Sequence, residues 1–166
     1  MSTNSAGIVC RAGSEDDSRQ IAEQLARGIE LEFDPANGGA MIFLNGTLGS
    51  GKTFFVQALL SDLGVDDEIV SPTFTICVPH RAKDLEIWHM DAYRIEHDEE
   101  VDDLGLDEAL SGGKLILVEW GEKIAKLAPP QDLEVQIEVL GQSEREFQFR
   151  AKSELGRALI SHISQT

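Results

Sequence analysis

Eight consecutive residues, Gly46-Thr47-Leu48-Gly49-Ser50-Gly51-Lys52-Thr53, satisfy the pattern G-x-x-x-x-G-K-[ST]. The chemistry this predicts is the cradling of a nucleoside triphosphate. A phosphate must come close to backbone N–H groups, and glycine leaves the room and reaches the dihedral angles this needs. Successive N–H groups form an anion nest, continued by the positive N-terminal end of the next helix. In such a loop Lys52 reaches the outer phosphates and the Thr53 hydroxyl ligates Mg²⁺. All eight residues are therefore nucleotide-binding candidates, with Lys52 also catalytic and Thr53 also a metal ligand.

Phosphoryl chemistry in such a loop also needs a carboxylate near the metal, at the end of a buried strand. Two fit: Asp91 after Ile87-Trp88-His89-Met90, and Glu119 after Leu115-Ile116-Leu117-Val118. One is expected to hold Mg²⁺ directly or through water, the other to orient or activate the attacking water. The spacing leaves open which does which. His89 reads as a structural strand histidine. Trp120 reads either as core or as a lid contact that reports nucleotide state. His80, His97 and His162 belong to no constellation, and no Ser-His-Asp or HExxH pattern occurs.

These residues need elements to hold them. Ala40-Met41-Ile42-Phe43-Leu44 is a continuous apolar run, as in a strand buried on both faces. After the glycines, Val56, Leu59, Leu60 and Leu63 mark one helical face, with Gly64 placed to cap it. Strand, glycine loop and helix are the context the motif demands. Upstream, Ser14 with Asp17 three residues on predicts a helix start, and Ile21, Leu25 and Ile29 carry that helix to about residues 28–30. Ser71-Pro72-Thr73-Phe74 reads as a turn before an extended stretch, and residues 85–91 and 114–119 as strands. Residues 99–110 read as an acidic helix interrupted at Gly105. Alternation in 133–139 and 147–152 predicts a hairpin with one buried face, followed by a closing helix through Leu155, Leu159 and Ile163. The expected fold is α/β: a three-layer, P-loop NTPase-like mixed sheet between helices, parallel at its core, with an antiparallel C-terminal hairpin. A single P-loop ATPase domain over 1–166 is expected, residues 1–12 being a flexible N-terminus.

Composition limits the partners. With 30 acidic against 14 basic residues the formal charge is -16, so a phosphate backbone is repelled on average and strong direct nucleic-acid binding is not expected. Between Asp84 and Glu108 eleven carboxylates face a single arginine, which reads as a solvated acidic face or an acidic docking surface. Polyanionic ATP on such a protein needs the local compensation that Lys52 and Mg²⁺ supply. Cys10 and Cys77 have no metal-ligand spacing and read as reduced thiols. No basic, apolar leader opens the chain and no apolar run approaches a membrane span, so a cytoplasmic protein without a membrane partner is expected.

The ordered blocks Gly46 to Thr53, Ser71-Pro72-Thr73-Phe74, His89-Met90-Asp91-Ala92-Tyr93-Arg94, Asp103-Leu104-Gly105-Leu106 and Leu117-Val118-Glu119-Trp120 resemble the bacterial TsaE (YjeE) family. The resemblance covers residues 14–152. It implies a P-loop ATPase of tRNA threonylcarbamoyladenosine (t6A) biosynthesis, required for the modification at adenosine 37. It also implies the protein partners TsaD and TsaB, with ATP hydrolysis resetting their complex. By the same resemblance, Asp91 and Glu119 are the metal and catalytic carboxylates. Ser71 and Thr73 belong to a switch segment near the γ-phosphate, and Trp120 lies beside the nucleotide. The chain departs from the family's usual pattern at Thr47 (Asp), Phe54 (Thr) and Gly121 (often Pro). None of these removes a group that phosphate or metal chemistry needs.

Two other readings compete. A small-molecule P-loop kinase usually needs lid arginines, and Arg94 is the only arginine between Arg81 and Arg145. A nucleotide-dependent adaptor with negligible hydrolysis would need the same P-loop, so the sequence discriminates it poorly.

Overall fold

A computed structural model describes residues 6–69, 72 and 76–165. Helix α1 (Glu15–Glu32) starts as its sequence predicts. Ser14 Oγ accepts from the Asp17 N–H at 3.1 Å, and Asp17 Oδ2 accepts from the Gly13 N–H at 2.9 Å. The helix ends at Glu32, two residues beyond the expected 28–30. Its apolar stripe of Ile21, Leu25 and Ile29 stays buried, and Gly28 is a packing contact rather than a breaker. A Cβ there would lie 3.1 Å from the Leu159 carbonyl of the closing helix α5 (Glu154–Ile160).

Seven strands among the described residues make one sheet: β1 (Gly7–Ala12), β2 (Ala40–Asn45), β3 (Cys77–Ala82), β4 (Leu85–Asp91), β5 (Leu115–Glu119), β6 (Leu133–Val139) and β7 (Arg145–Ala151). Their order is β1-β7-β6-β2-β5-β4-β3. The centre, β6-β2-β5-β4, is parallel. Every residue of β2 and β5 is buried, as strands covered on both faces require. The expected hairpin is β6–β7, but β6 also pairs in parallel with β2 and so belongs to the core.

One antiparallel edge strand, β1, was not foreseen, and the other, β3, runs further than the extended stretch expected after residue 74. The sequence reading puts residues 1–12 in a flexible N-terminus, whereas Gly7–Ala12 pair with β7 from Gly7↔Arg150 to Ala12↔Arg145. Their burial alternates toward Cys10 and Ala12 across only six residues, too short a pattern to stand out. At the other edge, β3 turns into β4 at Lys83, whose φ is 55°.

Alternate residues of β2 feed two cores, as the pleat dictates. Ile42 and Leu44 join Leu25, Phe55, Leu59 and Leu159 under α1, α2 (Lys52–Asp62) and α5. Met41 and Phe43 join Val118, Val101 and Leu106 under the short helices α3 (Asp98–Asp102) and α4 (Leu106–Ser111). The expected interruption at Gly105 is the α4 N-cap. The result is helices, sheet, helices, with the C-terminal ends of four parallel strands at one edge. No helix among the described residues is long and apolar enough to cross a membrane.

Candidate functional site

Strand β2 ends at Asn45, and the chain reverses through residues 46–51 into α2. Gly46 has φ 152°, and a Cβ there would meet Ser50 Oγ at 2.5 Å and the Ile137 carbonyl at 2.6 Å. Gly51 caps α2 with φ 104°, a left-handed value. Lys52 and Thr53 therefore open the helix, where its unpaired N–H groups and positive end favour anions.

Lys52 is 5% exposed. Its Nζ donates to the Gly46 carbonyl at 2.7 Å and the Thr47 carbonyl at 3.0 Å, and lies 3.9 Å from the centre of the Trp120 ring. Burial lowers its pKa, and the carboxylates of Glu119, Glu122 and Asp91 pull it back up.

Sheet register brings the two predicted carboxylates together. Glu119 pairs with Leu44 of β2 on one side and with Asp91 of β4 on the other. Thr53 Oγ1 donates to Glu119 Oε1 at 2.6 Å. The other oxygen, Oε2, lies 2.6 Å from His89 Nε2, with side-chain exposures of 3% and 0%. With Nε2 protonated, the imidazole donates to the carboxylate. Asp91 is half-buried, and its Oδ1 accepts from the Tyr93 N–H at 2.9 Å. Burial raises the Asp91 pKa; the Tyr93 hydrogen bond opposes this and Glu119 adds to it. The same cause, burial, raises Glu122.

Trp120 follows Glu119 with φ 58° and anchors its N–H on the Leu44 carbonyl at 2.9 Å. That left-handed turn lays the indole over Lys52 and against Tyr93, ring centres 5.0 Å apart. Lys123 Nζ donates to the Tyr93 carbonyl. A cleft of about 380 Å³ results, lined by Leu48, Gly49, Lys52, Thr53, Asp91, Glu119 and Trp120 among others. Ser71 and Thr73 lie outside the described residues.

The sequence missed several contributors. His89 is the partner that fixes Glu119; its signal was its place two residues before Asp91, on the same strand face. Arg145 Nε donates to the Ser50 carbonyl at 2.9 Å, and its Nη1 to the carbonyls of Gly141 and Glu144, each at 2.9 Å. No motif marks it. The Gly121 departure has a steric counterpart: a Cβ there would fall 2.2 Å from Cγ of Phe43.

A glycine loop between a central parallel strand and a helix, with carboxylates ending the neighbouring strands, defines a P-loop nucleotide-binding protein. A family model described as "Threonylcarbamoyl adenosine biosynthesis protein TsaE" matches residues 12–147, and the chain belongs to that family. The chain is 36% identical over 133 residues to the tRNA threonylcarbamoyladenosine biosynthesis protein TsaE of Rickettsia felis, covering 80% of this chain and 73% of that one. It is 38% identical over 130 residues to the Bacillus subtilis protein of the same name, covering 78% and 81%. The crystal structure of Bacillus subtilis YdiB superposes with a TM-score of 0.72 at 28% identity, over 96% of this chain and 95% of that one. The family and fold expectations are both met.

Proposed function

We propose that this chain is a Mg²⁺-dependent ATPase of tRNA threonylcarbamoyladenosine biosynthesis that acts on the TsaD and TsaB proteins in the cytoplasm. Membership of the TsaE family supports the pathway. The observation that carries the chemistry is the chain of contacts Thr53–Glu119–His89 beside Lys52 at the head of α2.

The donors fit Mg²⁺, a hard cation that takes oxygen ligands: the Thr53 hydroxyl, Glu119 and Asp91. Among the described residues no group of three or more His, Cys, Asp or Glu side chains is arranged to hold a metal. Mg²⁺ is commonly held by one or two carboxylates together with substrate phosphates rather than by an all-protein cage. When bound, Mg²⁺ would neutralise charge on the β- and γ-phosphates.

The residues then divide the work. The loop N–H groups from Gly49 to Thr53 hold the phosphates, and Lys52 exchanges loop carbonyls for phosphate oxygens. Thr53 and Glu119 would hold the cation, and His89 holds Glu119. Asp91, the more open carboxylate, orients a water against the γ-phosphorus and accepts its proton. The water oxygen bonds to the γ-phosphorus as its bond to the bridging oxygen breaks, leaving ADP and phosphate. Trp120 covers Lys52 at the phosphate end.

The test is phosphate release from Mg-ATP, measured with and without TsaD and TsaB. Release that rises with the partners supports the ATPase. Nucleotide binding without release in either condition favours the adaptor reading, and a phosphorylated small molecule favours a kinase.

A further inference from the structure

Three consecutive residues of β2 hold three consecutive residues of the turn after β5. Gly121 packs on the Phe43 ring, where a Cβ would fall 2.2 Å from Cγ. The Leu44 carbonyl accepts from the Trp120 N–H at 2.9 Å. Asn45 Oδ1 accepts from the Glu122 N–H at 3.3 Å. The other end of the Asn45 amide, Nδ2, donates to Glu134 Oε1 on β6, also at 3.3 Å. Asn45 is 5% exposed and directly precedes the phosphate loop. We propose that Asn45 is a positioning residue for nucleotide capture: it holds the 120–122 turn so that the Trp120 indole lies over Lys52. The assignment rests on the nucleotide-binding reading above.

The residue type is what the two contacts demand. One side chain must accept from a backbone N–H and donate to a carboxylate. A primary amide does both, an ionised aspartate only accepts, and an aliphatic side chain does neither. The carboxylate it meets is itself fixed. Glu134 Oε1 also accepts from Arg150 Nη1 at 3.4 Å, and Oε2 lies 3.8 Å from Lys152 Nζ. The amide therefore braces the turn against β6 across the end of β2. What it braces is strained. Trp120 has φ 58°, a left-handed value that a bulky residue keeps only where its surroundings over-determine it. Without Asn45 the Glu122 N–H loses its partner inside a partly buried turn, and an unpaired donor there favours rearrangement. The turn matters to the site because it places two groups at once. The Trp120 ring centre lies 3.9 Å from Lys52 Nζ, and the Glu122 carboxylate is among the charges that act on Lys52. Lys52 is the group that must meet the phosphates, so a displaced turn alters how it is presented to them.

The experiment measures Mg-ADP affinity of the full chain by calorimetry, and the emission of Trp120, isolated by Trp88→Phe, before any nucleotide is added. Asn45→Leu removes both polar ends at similar size. It should weaken Mg-ADP roughly 10-fold, the scale of one buried hydrogen bond, and shift the Trp120 emission. Asn45→Asp keeps the acceptor but sets a carboxylate against Glu134, and should act in the same direction. Adding Glu134→Gln to Asn45→Asp reverses the polarity of the contact, with residue 134 now the donor. That double variant should return Mg-ADP affinity to within about 3-fold of the parent, a rescue that general loss of stability would not produce. Unchanged affinity and emission in folded Asn45→Leu, or a double variant that binds no tighter than Asn45→Asp alone, overturns the proposal. Should Asn45→Leu fail to fold, the comparison of Asn45→Asp with the double variant decides alone. A folded parent that binds no ADP defeats the nucleotide reading, and the Trp120 emission then still tests the placement of the turn by itself.

Discussion

Glu119 and His89 meet at 2.6 Å with both side chains sealed from solvent, and the remaining carboxylate oxygen of Glu119 is held by Thr53, also at 2.6 Å. One carboxylate thus links the first turn of α2 to the middle of β4. The loop hydroxyl is fixed by a residue that is itself fixed, which is the preorganisation that phosphoryl transfer rewards.

Removing His89 leaves a buried carboxylate with one partner fewer. Breaking a buried pair in this way costs about 3 kcal/mol or more. His89→Ala should therefore lower unfolding stability by that order in urea denaturation and slow turnover. His89→Gln keeps an N–H near the position of Nε2 and should recover part of both. Equal stability of the two variants and the parent would show that the contact is not needed.

The carboxylates should separate binding from turnover. Asp91→Asn and Glu119→Gln are each expected to cut kcat by about 100-fold or more, with ADP affinity changed little. Normal phosphate release in either variant removes that residue from the mechanism.

Asp91 also predicts a pH profile. Burial holds its pKa above the usual carboxylate value, and it must be ionised to accept a proton from water. Activity is then lost as pH falls through the raised pKa, so the acid limb of kcat/KM, which reports the free protein, should lie above the pH at which an exposed aspartate titrates. A profile flat down to that ordinary range contradicts the assignment of Asp91 as the base.

Much of this site was legible because its chemistry is local in sequence. Gly46 to Thr53 form one unbroken motif, and Asp91 and Glu119 each follow a short apolar run that reads as a buried strand. What the sequence could not give was register. That Asp91 lies beside Glu119, or that His89 faces it, depends on β4 and β5 pairing in parallel, residue against residue. Arg145 and the β6–β7 turn reach the loop only because β6 joins β2, a contact between segments far apart in the chain. Strand β1 was missed for a related reason: six residues gain strand identity from β7, not from their own pattern. Gly28 sits inside α1 because α5 packs close there, a contact no local pattern shows.

Trp120 should report ligand binding. Its ring lies 3.9 Å from the Lys52 ammonium, which must leave the Gly46 and Thr47 carbonyls to reach a phosphate. Indole emission should change on adding Mg-ATP and should still do so in Trp88→Phe. Trp120→Phe should abolish the change. A signal that instead follows Trp88 would mean that Lys52 and Trp120 do not move apart.

Gly121 and Phe43 should behave as a coupled pair. A Cβ at residue 121 would lie 2.2 Å from the Phe43 ring, so Gly121→Ala overpacks the core and should cost about 1–3 kcal/mol. Adding Phe43→Val should recover part of that loss, a non-additivity that a double-mutant cycle measures. Strict additivity of the two changes would contradict the packing described.

The central claim is that a run of loop N–H groups with Lys52 holds a nucleotide's phosphates on an otherwise acidic protein. Titration calorimetry of the full chain with Mg-ADP and Mg-ATP, beside the Lys52→Ala variant, tests it most directly. The account predicts saturable heat at one site per chain in the parent and a severe loss of affinity in the variant. A folded parent that gives no heat with either nucleotide, or a variant that binds as tightly as the parent, contradicts it.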